Sequence, residues 1–232
     1  HRDLHSFPTR RSSDLLRGRL FEQLESHRKN PVAVGDRVRV LVDEEQASIE
    51  EVLPRRTALS RLTSGEERKE QVLVANVDQL CLVASLRQPE PHPPLLDRIL
   101  AAAHHNGLAP LVVLNKTDLD SGEGLEALRA VYAQAGYPVY PTCATEGKGL
   151  EPLKDRLAGK ITALAGPSGA GKSSLLNALQ PGLELRTGAV GRKGVHAGRH
   201  TTTFAQLHPL DFGGFVVDTP GLRNFGLWGL SR

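Results

Sequence analysis

The sequence predicts an α/β protein in which a mostly parallel sheet, covered by helices on both faces, follows a smaller domain of β-strands. Short alternating apolar runs separated by polar turns fill residues 16–86, as in a small antiparallel barrel. Beyond residue 94, apolar strands alternate with helical segments, which implies parallel strands joined by helices. Four prolines within residues 89–94 interrupt both patterns, so we place the domain boundary at that segment or before it. Residues 77–85 are expected to belong already to the sheet of the second domain.

The composition of the 232-residue chain is that of a soluble globular protein, with 39% hydrophobic and 24% charged residues. The formal net charge of +3 is compatible with nucleic-acid binding but does not require it. Cys81 and Cys143 are the only cysteines, which excludes a disulfide framework and a cysteine-rich zinc site. No apolar run reaches the roughly 18 to 20 residues of a membrane span. We therefore expect a cytoplasmic protein with no membrane partner.

Residues 1–15 fit neither pattern. They contain arginine and serine but also two aspartates, and they lack the apolar stretch of roughly 7 to 15 residues that a secretory signal needs. They resemble the translation of sequencing-adapter DNA, and we expect them to be poorly ordered. We therefore predict a non-native leader over residues 1–15, a β-domain over residues 16–76 and an α/β-domain over residues 77–232.

In the first domain the pattern predicts strands at residues 17–21, 38–42, 47–52 and 71–75. Residues 53–69, between the last two strands, are predicted to form an arginine-rich loop. Its basic residues suit an RNA surface, whereas the equally abundant acidic residues nearby favour a merely solvated loop, and both interpretations stay open. These basic residues are Arg55, Arg56, Arg61, Arg68 and Lys69.

In the second domain the pattern predicts three strands and three helices in alternation before residue 166. Parallel strands covered by helices bind ligands at the carboxyl ends of the strands, and every motif described below lies at such an end. The predicted helices are residues 95–105, 123–134 and 150–157, and the predicted strands are residues 111–114, 137–141 and 161–165. Two more strands are predicted at residues 204–207 and 215–217.

A glycine-rich phosphate-binding loop follows the strand at residues 161–165 and precedes an apolar helical stretch. Its spacing is G-x-x-x-x-G-K-[ST], in which glycines let backbone N–H groups turn inward and the helix N-terminus attracts anionic oxygen. Lys172 is predicted to act in catalysis against the β- and γ-phosphates, and the Ser173 hydroxyl is predicted to bind Mg²⁺. The loop consists of Gly166, Pro167, Ser168, Gly169, Ala170, Gly171, Lys172, Ser173 and Ser174.

Asn115, Lys116, Thr117 and Asp118 form a base-recognition loop directly after the strand at residues 111–114. The Asp118 carboxylate can accept hydrogen bonds from the N1–H and the exocyclic amine of guanine, and adenine has no such donor pair. Asn115 is expected to tie the loop to neighbouring backbone, and Lys116 to pack its stem over the base. The loop therefore predicts selectivity for GTP and GDP.

A base-support loop, residues 142–145, ends the next predicted strand. In nucleotide-binding GTPases a Ser-Ala pair at this point offers a backbone N–H to the guanine carbonyl oxygen, and here Cys143 and Ala144 occupy the position. The backbone contact survives the exchange of serine for cysteine. Whether the cysteine side chain supports the loop as a serine side chain does is left open by the sequence.

Two further segments are expected to face the γ-phosphate. Asp218-Thr-Pro-Gly221 follows the apolar residues 215–217, and we predict that Asp218 holds Mg²⁺ through water while the Gly221 N–H bonds the γ-phosphate. Thr202 follows a glycine-rich basic run, residues 186–200, and is predicted to complete the Mg²⁺ shell. The basic side chains of that run could instead contact RNA phosphate.

Hydrolysis requires a group that orients the attacking water. Leu222 stands where many GTPases have a water-orienting glutamine, and a leucine side chain cannot position water. Intrinsic hydrolysis is therefore expected to be slow unless another group acts. His200, next to the threonine run, could hydrogen-bond the water, and a structural or RNA-contacting histidine is the alternative.

The base-recognition loop precedes the phosphate-binding loop in the chain, so the domain is circularly permuted relative to ordinary small GTPases. With a β-domain in front, the chain resembles the RsgA (YjeQ) family of small-ribosomal-subunit biogenesis GTPases over residues 16–232. The motifs that match are Arg17-Gly-Arg19, Gly35-Asp-Arg-Val38, Ala75-Asn-Val-Asp78, Asn115-Lys-Thr-Asp118, residues 166–174, Gly198-Arg-His-Thr-Thr-Thr203 and Asp218-Thr-Pro-Gly221.

The resemblance implies a partial OB-fold that contacts 16S rRNA and a P-loop GTPase domain activated by the small (30S) ribosomal subunit during its late maturation. It implies GTP or GDP and Mg²⁺ as ligands, and a zinc-binding C-terminal domain in the family. Because the chain ends soon after Gly221 and barrel strands are expected before Arg17, we expect a monomeric fragment without the zinc site. The alternatives are a GTP-gated RNA-binding module in which hydrolysis is incidental, and a P-loop ATPase or kinase.

Overall fold

The structure is a computed structural model that describes residues 32–42, 47–62, 70–183 and 206–218. These residues divide into two compact units, one up to Val77 and the other from Asp78 onward. The predicted leader and the predicted strand at residues 17–21 lie outside the described residues. The division into an RNA-binding domain and a GTPase domain stays a prediction.

The first unit contains two antiparallel strand pairs. Strands β1 (Val38–Val42) and β2 (Ala47–Val52) form one pair, and β3 (Ala58–Leu62) and β4 (Glu70–Ala75) form the other. The predictions for β1 and β2 are confirmed, and β4 begins one residue before the prediction. The described strands form two separate pairs and not one continuous sheet. The OB barrel therefore stays a prediction.

The prediction that residues 53–69 form one loop is wrong at Ala58–Leu62, which is strand β3. Leu59 is fully buried and lies opposite the fully buried Val74 of β4 in the register. The alternation is short and contains a serine and an arginine, so the sequence pattern shows it poorly. Pairing with β4, rather than local periodicity, makes this segment a strand.

Two of the sequence motifs meet inside the first unit. Asn76 has a left-handed backbone with φ 55°, and its side-chain amide donates to the Gly35 carbonyl at 2.9 Å. Gly35 itself has φ 87°, and a Cβ there would lie 2.1 Å from the Ala75 carbonyl oxygen. The motifs around Gly35 and Asn76 are therefore the two halves of one tight junction, which only glycine and a turn-forming asparagine suit.

Arg55 belongs to that junction and not to a solvated loop. Its Nε and Nη2 donate to the two carboxylate oxygens of Asp36 at 2.6 and 2.7 Å. The side chains of Arg55 and Asp36 are only 10% and 1% exposed. This bidentate ion pair joins two buried charges, while Nη1 of Arg55 is buried without a hydrogen-bond partner among the described residues. For Arg55 the surface prediction is therefore wrong.

The second unit is built on one six-stranded sheet in the order β7-β6-β5-β8-β10-β9. Every neighbouring pair is parallel except β10 and β9, which are antiparallel. This mixed sheet confirms the predicted α/β class. The strands are β5 (Gln79–Ser85), β6 (Ala109–Asn115), β7 (Val139–Pro141), β8 (Ile161–Ala165), β9 (Gln206–Pro209) and β10 (Phe215–Asp218).

Four α-helices of the second unit are described: α1 (Pro93–His105), α2 (Glu123–Gln134), α3 (Leu150–Leu157) and α4 (Lys172–Leu179). The bounds predicted for α2, α3 and β8 are confirmed. Helix α1 begins two residues before the prediction, because proline is tolerated in the first turn, where no intrahelical N–H partner is needed. The His92 ring nitrogen caps this helix by accepting from the Leu95 N–H at 3.3 Å.

Several strand boundaries of the second unit differ from their predictions, and β10 ends at Asp218, one residue beyond its prediction. Strand β6 is longer than predicted at both ends. Strand β7 begins at Val139 rather than at residue 137, because the Tyr137 N–H bonds the Tyr132 carbonyl at 3.0 Å in the turn after α2. Strand β9 ends at Pro209, two residues beyond its prediction, and the predicted residues 204 and 205 lie outside the described residues.

The core of the second unit lies between the sheet and helices α3 and α4. Leu153, Leu157, Leu175 and Leu176 from these helices pack with apolar residues of β5, β6, β8 and β10. Helix α1 packs on β5 and β6. Every residue of β5 is buried, as expected for a central parallel strand covered on both faces. Burial raises the pKa of the Cys81 thiol in β5 to about 12, which marks it as a packing residue.

Candidate nucleotide-binding site

The predicted motifs lie at the carboxyl ends of neighbouring strands. Asn115 is the last residue of β6, and Asp218 is the last residue of β10. Gly166 directly follows β8, and Thr142 directly follows β7. Because these strands are parallel, their ends lie at one edge of the sheet. The fold therefore brings the base-recognition, base-support and phosphate-binding loops together.

The phosphate-binding loop has the backbone that its glycines allow. Gly166, Gly169 and Gly171 have φ values of 134°, 82° and 89°, which L-residues rarely adopt. A Cβ on Gly166 would lie 2.0 Å from the Val83 carbonyl oxygen of β5, so the loop lies directly against that strand. The shape of the loop depends on glycine at these positions.

Helix α4 begins at Lys172, immediately after the loop, and no side chain of the described residues caps its first turn. Ser173 and Ser174 lie in this turn, where unpaired N–H groups favour an anion. The Lys172 ammonium donates to the carbonyls of Gly166 and Pro167, each at 2.8 Å. The lysine is thus held over the loop that is predicted to receive the phosphates.

Asn115 joins the three loops. Its side-chain amide donates to the Ala170 carbonyl of the phosphate-binding loop at 3.1 Å. Its side-chain oxygen accepts from the Thr142 hydroxyl at 3.2 Å and from the Ala144 N–H at 3.3 Å. The side chain is buried, so these bonds are made away from competing water. The sequence predicted that Asn115 bonds neighbouring backbone. The structure shows that its side chain bonds both the phosphate-binding loop and the base-support loop, and so connects all three loops.

Lys116 and Thr117 continue the base-recognition loop. Lys116 has a left-handed backbone with φ 63°, and the methylene next to its ammonium lies 3.8 Å from the position of a Cβ on Gly171. Its ammonium donates to the Gln88 carbonyl. The Thr117 N–H bonds the Thr142 carbonyl at 3.2 Å. A strained backbone in a loop held from several sides is typical of a functional site.

Asp118 is exposed at the edge of the sheet, whereas Cys143 is fully buried. The Cys143 thiol donates to Oδ1 of Asp118 at 3.1 Å. The sequence supported only a backbone role for Cys143, so this side-chain contact is new. This bond uses Oδ1 of Asp118, and within the described residues Oδ2 makes no hydrogen bond, so it is available to a base.

The segment after β5 was not recognised from the sequence. Besides the Gln88 carbonyl that binds Lys116, it contributes Arg87, whose guanidinium lies 3.6 Å from Asp120. Asp120 accepts the backbone N–H groups of Leu125 and Gly122 at 3.0 and 2.9 Å, and these bonds lower its pKa. The segment thus braces the base-recognition loop from the side of β5.

The remaining predicted site residues are His200, Thr202 and Gly221, which lie outside the described residues together with Leu222. Of Asp218 the structure describes only its place at the end of β10, next to the β8 strand that leads into the phosphate-binding loop. In the described ranges no group of three or more His, Cys, Asp or Glu side chains could hold a metal ion. The hard oxygen donors Ser173 and Asp218 suit Mg²⁺, which keeps several waters and needs few protein ligands.

Comparison with known proteins finds relatives of this chain. The family model described as RsgA GTPase matches residues 52–228. The chain is 49% identical over 224 residues to the small ribosomal subunit biogenesis GTPase RsgA of Gemmatimonas aurantiaca, covering 95% of this chain and 72% of the relative. It is 37% identical over 207 residues to the protein of the same name from Bacteroides fragilis, covering 88% of this chain and 66% of the relative.

Two solved structures are similar to this chain. YjeQ from Thermotoga maritima aligns with a TM-score of 0.69 and 40% identity, covering 90% of this chain and 66% of that one. YloQ, described as a circularly permuted GTPase, aligns with a TM-score of 0.64 and 28% identity, covering 93% of this chain and 65% of that one. The chain thus spans about two thirds of the length of these proteins. Among its described helices none is long and apolar enough to cross a membrane.

Proposed function

The chain belongs to the RsgA GTPase family, and we propose that it binds GTP, hydrolyses it, and acts in the late maturation of the small ribosomal subunit. The observation that carries the proposal is the set of hydrogen bonds made by Asn115, which fixes the base-recognition, base-support and phosphate-binding loops to one another. Loops held in this way can grip the base and the phosphates of one nucleotide. The related proteins are named small ribosomal subunit biogenesis GTPases, which supports the cellular role.

Selection of guanine is assigned to Asp118, Cys143 and Ala144. The Asp118 carboxylate would accept the N1–H and the exocyclic amine, and the Ala144 N–H would meet the guanine carbonyl, because the Cys143 N–H already donates to the Lys148 carbonyl at 3.0 Å. A guanine oxygen would then share the Ala144 N–H with the Asn115 side chain, which already binds it at 3.3 Å. Adenine presents the opposite pattern of donors and would leave the carboxylate unpaired.

Binding of the phosphates is assigned to the N-terminal turn of α4 and to Lys172. Two carbonyls hold the lysine ammonium over the loop, so it reaches the β- and γ-phosphates without a large movement. Ser173, Thr202 and Asp218 are the residues that would hold Mg²⁺. When bound, this ion neutralises charge on the phosphate oxygens.

Hydrolysis is the attack of a water molecule on the γ-phosphate. Leu222 cannot orient that water, so we assign this role to His200 and expect slow turnover by the isolated chain. The small subunit and its 16S rRNA are the partners that would raise the rate. A role in the maturation of the small ribosomal subunit implies a cytoplasmic protein. We propose that the chain acts as a monomer.

Calorimetric binding of GDP and ADP tests the nucleotide assignment. The chain is expected to prefer GDP, and Asp118→Ala is expected to weaken GDP binding by about a hundredfold or more, because hydrogen bonds to a charged group contribute about 1.5–3 kcal/mol each. The matched control is Asp155→Ala, which removes an exposed carboxylate near the C-terminal end of α3. A preference for ADP would exclude the assignment of Asp118.

GTP turnover with and without small subunits tests the cellular role. Strong stimulation by the subunit supports an enzyme that acts in subunit maturation. Nucleotide-dependent binding to the subunit without stimulated turnover would instead identify a GTP-gated RNA-binding module. A Lys172→Ala variant, which removes the phosphate-binding ammonium, is expected to lose turnover in both conditions.

A further inference from the structure

We infer that Cys143 is a positioning residue that orients the Asp118 carboxylate for guanine recognition. The inference rests on the proposed guanine-nucleotide site and adds a determinant of its specificity. Its basis is the hydrogen bond from the buried Cys143 thiol to Oδ1 of Asp118 at 3.1 Å. Asp118 itself is exposed, and an exposed carboxylate samples several rotamers unless a neighbour holds it.

The direction of the hydrogen bonds around the thiol follows from chemistry. Cys143 Sγ also lies 3.2 Å from the Thr145 hydroxyl, and that pair alone does not define the donor. An ionised carboxylate only accepts, and a thiol has one hydrogen, so the thiol hydrogen goes to Asp118. The Thr145 hydroxyl must then donate to the sulfur. The result is a relay from Thr145 through Cys143 to Asp118, in which each bond polarises the next.

The backbone holds the thiol at a fixed point. The Cys143 N–H donates to the Lys148 carbonyl at 3.0 Å, and the Lys148 N–H donates to the Cys143 carbonyl at 3.1 Å. The chain leaves this small hairpin through Gly149, where φ is 71° and a Cβ would lie 2.1 Å from the Pro141 carbonyl oxygen. Because neither end of the hairpin can shift freely, the orientation of Asp118 depends on the side chain at position 143.

The bond from the thiol does not compete with the base. Each oxygen of an ionised carboxylate has about two acceptor sites, so Oδ1 of Asp118 keeps one site after it accepts the thiol. Oδ2 keeps its acceptor sites for the guanine donors. Loss of the thiol therefore removes orientation without removing any atom that contacts the nucleotide.

The test compares Cys143→Ala with Cys143→Ser, which keeps a donor of similar size, and measures the affinities for GDP and IDP. IDP lacks the exocyclic amine, so the ratio of the two affinities reports how well Asp118 meets that amine. Cys143→Ala is expected to lower GDP affinity about fivefold to tenfold, in line with a modest hydrogen bond to a charged group, and to lower the GDP-to-IDP ratio. Cys143→Ser is expected to restore both to within about twofold of the wild type.

A Thr145→Val variant, which removes the hydroxyl at similar volume, is expected to lower the ratio less than Cys143→Ala does. In an Asp118→Ala background, Cys143→Ala is expected to have no further effect on GDP affinity, whereas a merely structural role would weaken binding again. An unchanged ratio in Cys143→Ala, or a second loss in the Asp118→Ala background, would overturn the inference. Failure of the wild-type chain to bind GDP would overturn the proposed function itself, which separates the two results.

Discussion

Gly171 lies where the phosphate-binding loop passes the side chain that anchors the base-recognition loop. Its φ is 89°, and a Cβ there would lie 2.4 Å from the amide nitrogen of Asn115. That amide also donates to the Ala170 carbonyl at 3.1 Å. A Gly171→Ala substitution must therefore displace Asn115 or the loop backbone, because neither atom at the contact is the far end of a long side chain.

The cost has two parts. A left-handed backbone at a residue other than glycine costs about 1–2 kcal/mol. Loss of the Asn115 bond to Ala170 adds about 0.5–1.5 kcal/mol. For a chain of this size each kcal/mol lowers the melting temperature by about 2–4 °C, so we expect a decrease of roughly 3–14 °C. We also expect about a tenfold weaker affinity for GDP, because the bond that aligns the two loops is worth about that factor.

The assay is thermal unfolding together with calorimetric GDP binding, and Gly136→Ala is the matched control. Gly136 has φ 85°, and none of the described residues comes within 4 Å of a Cβ at that position. The control therefore has the backbone strain without the collision and is expected to keep the wild-type affinity for GDP. If Gly171→Ala bound GDP as the control does and unfolded at the same temperature, the proposed coupling of the two loops through Asn115 would be refuted.

Two predictions concern buried and capping carboxylates. Asp36→Ala leaves the Arg55 guanidinium buried without its partner and is expected to lower the free energy of unfolding in urea by about 3–5 kcal/mol. Adding Arg55→Leu should recover part of this loss, and an equal or larger loss in the double variant would contradict the prediction. The Asp120 pKa lies below its ordinary value of 3.8 because of backbone N–H groups from Leu125 and Gly122, so its stabilisation is present above that pH and is lost as the pH falls through the lowered pKa. The melting temperature of Asp120→Asn should therefore be lower than that of the wild type near neutral pH and approach it in acid; a gap that does not change with pH would exclude the linkage.

The sequence predicted the second unit well because its strands are buried on both faces. Parallel strands covered by helices appear as continuous apolar runs, and those runs located β6 and β8. The strand that was missed, β3, has no such run. Its Leu59 is buried by pairing with β4, which lies several residues further along the chain, and pairing of this kind has no local sequence signal.

The candidate site shows the same division between local and non-local information. Motif spacing identified Asn115, Asp118 and Lys172, because their chemistry depends on which residue follows a buried strand. It could not show that the Cys143 thiol meets Asp118 or that Lys116 meets the Gln88 carbonyl. Each of these contacts joins two loops at the ends of neighbouring strands, and the distance between the loops depends on how the strands are paired in the sheet. The periodicity of a single sequence does not show that pairing.

Strand β5 explains why the permuted order of motifs does not disturb the site. It lies between β6 and β8 in the sheet, although it precedes both in the chain. Both loops rest on its carboxyl end, since Gly166 approaches the Val83 carbonyl and the Leu86 N–H bonds the Asn115 carbonyl at 3.2 Å. Asn115 then needs to reach across only one strand to meet Ala170. The distance between the base and phosphate loops is therefore set by the order of strands in the sheet, and the order of the motifs along the chain is free to differ.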